Sequence, residues 1–308
     1  MRIASANAFE SSLGNLQRRQ QALAESQDKL TSGLRVMRPS DDPAAVAAAE
    51  RARATLSTNT AQKRALDASR GAMQMSESAL GNAGDLMATA RDIVIAAGNG
   101  TYSDSERVVL AQSLRSVRND LLAVANRSDG AGRYLFGGQG SDGRPLLDAP
   151  GGVVFNGTPG QQQTAGGESS PMSIDGRAAW LLAPDPANPG ATLSVFDTLD
   201  STINALLTPG ITGTQLSQTV SQGLAGIDAV AQNLSSWRSR AGESLNRIDG
   251  IQSRLSQAGI DAEQQRSDAE DLDMLSAISD FKNRQSGYDA ALQTYSLVQR
   301  MSLFDYLK

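Results

Sequence analysis

The sequence predicts a mainly α-helical chain: a long antiparallel coiled coil or bundle built from both chain ends, with a small central β-rich insertion. Three observations carry this. Apolar residues recur in steps of four and three near the start, the same steps return near the end, and glycine and proline concentrate between them. Composition agrees. Aromatics are only 4% of the 308 residues, so the core must be built from Ala, Leu, Ile and Val, which suits closely packed helices.

The opening stripe is Phe9, Leu13, Leu16, Gln20, Leu23, Gln27, Leu30 and Leu34. Its period of 3.5 fits a helix lying on a globular core or a coiled-coil strand that needs a partner; glutamine in a seam weakens packing but can fix register. Gly33 and Pro39 break the helix. Asp42 followed by Pro43 restarts it, because Asp caps free N–H groups and Pro fits the first turn. Helix formers then run from Ala44 to about Ala97, with Gly71, Gly81 and Gly84 as bends or close contacts. Gly98-Asn99-Gly100 is a turn, and Ser103 with Glu106 forms a capping box for a helix reaching about Ser128.

Residues 133–195 change character. Tyr134-Leu135-Phe136, Val153-Val154-Phe155, Met172-Ser173-Ile174 and Trp180-Leu181-Leu182 suggest short strands, with turns at Asn156-Gly157 and Asp175-Gly176. Helix resumes near Ser194 and stops at Pro209-Gly210. A long helix follows from about Gln215 to Gln265, with Ile227, Ala231, Leu234, Arg238, Ala241, Leu245, Ile248, Gln252 and Leu255 in heptad steps. The pattern continues through Met274, Ile278, Phe281, Gln285, Tyr288, Leu292, Tyr295 and Gln299. A long helix gains little by itself; its stability comes from burying its stripe, at roughly 1.5–3 kcal/mol per large apolar side chain. The simplest arrangement pairs the two ends and packs the pair against neighbours.

Chemistry is hard to assemble. Histidine and cysteine are absent, which removes the usual base, the thiol nucleophile, disulfides and the commonest metal ligands. Asp268, Glu270, Asp271 and Asp273 lack the spacing of a calcium loop and suggest a solvated acidic helix face. Gly137-Gly138-Gln139-Gly140 is not followed by the Lys and Ser or Thr of a phosphate loop, so a tight turn is expected. Asn156-Gly157-Thr158 fits a glycosylation sequon and a hairpin turn equally well. No catalytic residue, cofactor or metal is expected. Net charge is −5 without a basic cluster, against nucleic acid. No apolar run suffices for a membrane span, and no cleavable signal peptide is visible.

Two terminal stretches carry a resemblance. The first heptad with Leu30-Thr31-Ser32-Gly33-Leu34-Arg35 and Ser40-Asp41-Asp42-Pro43-Ala44 resembles the N-terminal signature of bacterial flagellin and its relatives, and the C-terminal amphipathic segment is also flagellin-like. Within that superfamily, Tyr134-Leu135-Phe136-Gly137-Gly138, Val195-Phe196-Asp197-Thr198-Leu199-Asp200 and the ending Met301-Ser302-Leu303-Phe304-Asp305-Tyr306-Leu307 are similar to the third hook-associated proteins of the hook–filament junction. Pro43, where filament flagellins usually carry Ala, departs from the filament pattern.

The resemblance implies a division at 1–43, 44–132, 133–195, 196–268 and 269–308. These would be an N-terminal coiled-coil strand and break, the first half of a helical rod, an outward β insertion, the second half of the rod, and a C-terminal coiled-coil strand. It implies a structural, non-enzymatic junction subunit of the flagellum, with filament flagellin as the alternative. Expected partners are copies of itself in a ring, the first hook-associated protein, flagellin and an export chaperone, with extracellular placement reached through flagellar type III export. The expected assembly interface is Phe9, Leu13, Leu16, Leu23, Leu30, Ile278, Phe281, Tyr288, Leu292 and Tyr295.

Overall fold

A computed structural model describes the backbone of residues 2–164 and 167–306 and the side chains of 10–164 and 167–297. The described elements are α1 (Arg2–Ser32), α2 (Pro43–Ala97), α3 (Asp104–Ala125), β1 (Leu146–Ala149), β2 (Gly152–Phe155), α4 (Gly176–Trp180), β3 (Ala183–Pro184), β4 (Thr192–Leu193), α5 (Val195–Leu206), α6 (Gly213–Glu270) and α7 (Met274–Tyr306). They are mainly helical, with two small two-stranded antiparallel sheets. The chain forms two compact units: Met1–Asn59 with Ser256–Lys308, and Thr60–Leu255.

Several boundaries follow from capping. Asp42 Oδ1 accepts the Ala45 N–H at 3.0 Å at the start of α2. The Ser103–Glu106 capping box is formed, with Glu106 Oε2 accepting the Ser103 N–H at 2.7 Å. Ser194 caps α5 by accepting the Asp197 N–H. α2 runs uninterrupted through Gly71, Gly81 and Gly84. Only at Gly81, among these three, would an added Cβ meet another chain segment, the Arg238 guanidinium at 3.4 Å.

In the second unit, α2 and α6 lie antiparallel. Gln252 donates to Asp67, Arg70 pairs with Asp249, Arg238 donates to Glu77 and Arg91 to Asp228, so partners descend one helix as they climb the other. Between these polar pairs lies a buried heptad seam. On α2 it alternates Leu66, Met73, Leu80, Met87 and Val94 with the small residues Ser69, Ser76, Ala83, Ala90 and Ala97. On α6 it carries Ile227, Leu234, Ala241 and Ile248.

The insertion packs on α3 and α5 through one aromatic cluster. Phe136 meets Trp180 edge-on at 5.3 Å, and Trp180 stacks with Phe196 of α5 at 6.1 Å. All three rings are fully buried. Arg118 of α3 lies 5.6 Å from the Phe196 ring centroid and joins Asp148 of β1 to Asp200 of α5. β1 pairs with β2 in the register Leu147↔Val154, with Gly151 in the turn between them and Gly152 at the start of β2 both at positive φ.

The insertion corrects part of the sequence reading. Trp180 closes a short helix, not a strand, because Asp175 caps it by accepting the Ala178 N–H at 3.1 Å. Asp175-Gly176 is therefore a helix start. Tyr134 makes a single bridge to Ser128, and Tyr134-Leu135-Phe136 and Met172-Ser173-Ile174 are joined by hydrogen bonds without forming strands, as from the Ile174 N–H to Leu135 O at 2.8 Å. The hairpin uses Leu146–Ala149 as its first strand, which the sequence did not single out.

Candidate assembly interface

The first unit pairs α1 with α7. α1 ends because Gly33 turns to φ +72°, a conformation that suits glycine. The chain then meets the break between α6 and α7. Leu34 bridges Asp271, the Arg35 N–H donates to Glu270 O at 2.8 Å, and the Leu272 N–H donates to Gly33 O at 2.9 Å. This places the end of α1 beside the start of α7, and the helices run antiparallel from there. Arg284 donates to the Ala22 carbonyl at 3.3 Å. Further along, Gly287 accommodates Arg19, whose guanidinium would lie 2.7 Å from an added Cβ.

Charged side chains lock the double break. The Glu270 carboxylate is buried, with Arg53 on one oxygen and Arg266 on the other, each at 2.5 Å. Arg266 also reaches Glu263 and Asp271. Arg35 donates to Ala269 O and pairs with Asp42 at 3.4 Å. Hydrogen bonding from the Ala45 N–H holds the Asp42 carboxyl below the usual carboxylate range. Asp273 caps α7 by accepting the Leu275 N–H at 3.1 Å and the Ser276 hydroxyl at 3.0 Å; the hydroxyl is the main cause of its lowered pKa.

The four acidic residues are therefore not one solvated helix face. Glu270 ends α6 in a buried pair, Asp271 lies in the break, and Asp273 starts the next helix. Among the described residues, no group of three or more His, Cys, Asp or Glu is placed to hold a metal ion. The glycine turn has a packing cause: a Cβ on Gly138 would lie 2.0 Å from Thr158 O, and one on Gly176 would lie 2.2 Å from Phe136 O. No described helix is long and apolar enough to cross a membrane.

The expected interface residues fall into two groups. Leu16, Leu23, Leu30, Phe281, Tyr288 and Tyr295 are half-buried in the first unit. Leu13, Ile278 and Leu292 are 36%, 44% and 39% exposed. The Phe9 side chain lies outside the described residues. Gln20 and Gln27 are exposed, while Ser26, which the seam omitted, is buried. The seam also missed Leu275 and Leu297, 80% and 57% exposed. Each is an apolar residue out of step with the four-three pattern, and that mismatch was their only signal in the sequence. α1 and α7 thus satisfy part of their apolar surface on each other and leave a further set of large apolar side chains in solvent.

The bacterial flagellin N-terminal helical region matches residues 3–141, and the flagellin C-terminal helical region matches residues 224–307. Flagellar hook-associated protein 3 of Salmonella typhimurium is 26% identical over 313 residues, covering 99% of each chain. A putative flagellar hook-associated protein of Vibrio parahaemolyticus has the same fold, with a TM-score of 0.66 at 20% identity over 75% of this chain and 100% of that one. The flagellar junction protein FlgL of Legionella pneumophila shares it too, with a TM-score of 0.60 at 18% identity over 73% of this chain and 100% of that one. The chain belongs to the bacterial flagellin family of flagellar structural subunits, and its likeness within that family is to hook-associated protein 3.

Proposed function

We propose that this chain is the subunit that joins the flagellar hook to its filament, assembled as a ring of identical copies. The first hook-associated protein lies on the hook side and flagellin on the filament side. The observation that most supports this is the near-complete two-way match to hook-associated protein 3. The apolar residues left in solvent on α1 and α7 supply the means: Leu13, Leu275, Ile278 and Leu292 are buried only when neighbours arrive.

The work is mechanical and involves no turnover. Residues 1–43 and 269–308 form the inner coiled-coil layer, 44–132 and 196–268 the rod, and 133–195 the outward face. The subunit leaves the cell unfolded through the flagellar export apparatus, with a chaperone holding its C-terminal helix before export. A strain lacking this chain should keep its hooks and shed unpolymerised flagellin into the medium. Normal filaments in that strain would overturn the proposal. Abundance separates it from filament flagellin, since a junction subunit is a trace component of purified filaments.

A further inference from the structure

We propose that Asn99 is a self-modifying residue that converts to aspartate and isoaspartate in the folded protein, and that the turn around it promotes the conversion. The chain contains two Asn-Gly pairs, Asn99-Gly100 and Asn156-Gly157, and the structure treats them differently. Asn99, Gly100 and Thr101 are all exposed in the turn between α2 and α3. The Asn99 side-chain carbonyl accepts two hydrogen bonds, from the Thr101 N–H at 3.2 Å and the Thr101 hydroxyl at 3.0 Å. The first closes a ring that contains the Gly100 nitrogen. The Gly100 N–H has no hydrogen-bond partner among the described residues, and a Cβ on Gly100 would meet nothing within 4 Å. Attacking nitrogen and electrophilic carbon are thus held in one small loop. The two donors on Oδ1 stabilise the negative charge that forms there when Cγ is attacked.

The step balances with water alone. Solvent hydroxide removes the Gly100 amide proton, and the nitrogen forms a bond to Cγ of Asn99. The Cγ–Nδ2 bond breaks, and Nδ2 leaves as ammonia after taking a proton from water. Water then opens the cyclic imide at either carbonyl, giving aspartate or isoaspartate. No atom changes oxidation state. The product places a carboxylate just past the last turn of α2, beside carbonyls that already carry partial negative charge. The isoaspartate form also lengthens the backbone inside the turn closed by the Tyr102 N–H on Asn99 O.

Asn156 lacks these features. Its N–H is fixed to Pro145 O at 2.7 Å, and its side chain has no hydrogen-bond donor among the described residues. Gly157 is wedged so that a Cβ would lie 2.7 Å from the Phe155 ring and 2.8 Å from Gly137 O. The structure therefore favours reaction at Asn99 and restrains it at Asn156.

The test incubates the folded full-length chain at neutral and mildly alkaline pH and follows both sites by peptide mass spectrometry, with chromatographic separation of isoaspartate. Conversion at Asn99 should be several-fold faster than at Asn156, and the gap should close in denaturant. Gly100→Ala, which the open space around Gly100 tolerates, should slow Asn99 more than tenfold. Thr101→Val should slow it several-fold and leave Asn156 unchanged. Equal rates at the two sites in the folded chain, or an Asn99 rate indifferent to Thr101→Val, would overturn the proposal.

Discussion

Arg53 Nη2 lies 2.5 Å from Glu270 Oε2, joining residues 217 positions apart at the foot of the α1–α7 pair. Glu270 is buried and also holds Arg266, whereas Arg53 is half exposed. Glu270→Gln should therefore lower stability by about 1–3 kcal/mol, because two guanidinium groups lose their common carboxylate. Arg53→Met should cost less, since Glu270 keeps Arg266. Denaturant unfolding of the two variants checks the order, and equal costs would refute it.

In dilute monomer, α1 and α7 cannot bury Leu13, Leu275, Ile278 and Leu292, all of which stand in solvent within the first unit. Limited proteolysis should trim the chain to a core of about residues 40–270. Resistance of both ends in a verified monomer would contradict this.

Leu16→Asp or Leu292→Asp should block polymerisation and leave the second unit folded. Leu16 is half-buried and Leu292 exposed, so the failure at Leu292 in particular would arise on assembly. The expected cost is a few kcal/mol per site buried in the polymer. Sedimentation of mixtures under assembling conditions, with circular dichroism of the monomer, checks both halves.

Acid should loosen the joint between the insertion and the helices. Hydrogen bonding from Arg118 lowers the Asp148 carboxyl below its ordinary value. Between the lowered folded value and the ordinary one, the unfolded chain binds a proton that the folded chain does not, so stability falls as pH falls. The contribution is fully present above about pH 4 and is lost as pH drops through the folded value. Arg118→Met should flatten this acid limb in a pH series of unfolding curves. An unchanged limb would refute the assignment.

Two glycines should respond with opposite sign. Gly176→Ala would press a methyl group against the Phe136 carbonyl and the Phe155 ring, costing about 1–3 kcal/mol or more. Gly84→Ala, exposed in mid-helix with nothing within 4 Å, should gain about 0.5–1 kcal/mol. Thermal unfolding of the pair reads both effects.

Three helix starts were legible from the side chains that cap them. Asp42, Ser103 with Glu106, and Ser194 all do what their local chemistry implies. The seam of α2 was not, because half of it is Ser69, Ser76, Ala83, Ala90 and Ala97, small residues that an apolar count passes over. Trp180 was misassigned because its apolar neighbours imitate a strand, while the Asp175 cap decides the matter from outside the run. The terminal heptads announced the pairing of the two chain ends, α1 against α7. Which of their residues face solvent depends on how α1 and α7 pair, and Gln20, Gln27 and Ser26 show that spacing alone does not determine it.

The seam between α2 and α6 has a further consequence. A pattern that repeats every seven residues fits itself again after sliding by one repeat, about 10 Å along the helix. Packing alone therefore leaves a misaligned alternative of similar quality. The cross-helix pairs tell the two apart by charge: Arg70, Glu77 and Arg91 follow the seven-residue step on α2 but face Asp249, Arg238 and Asp228, so a slip of one repeat sets Glu77 toward Asp249 or Arg70 toward Arg238, like charge against like charge. They act as a key whose charges match at one depth only, and so they fix how far the two helices overlap.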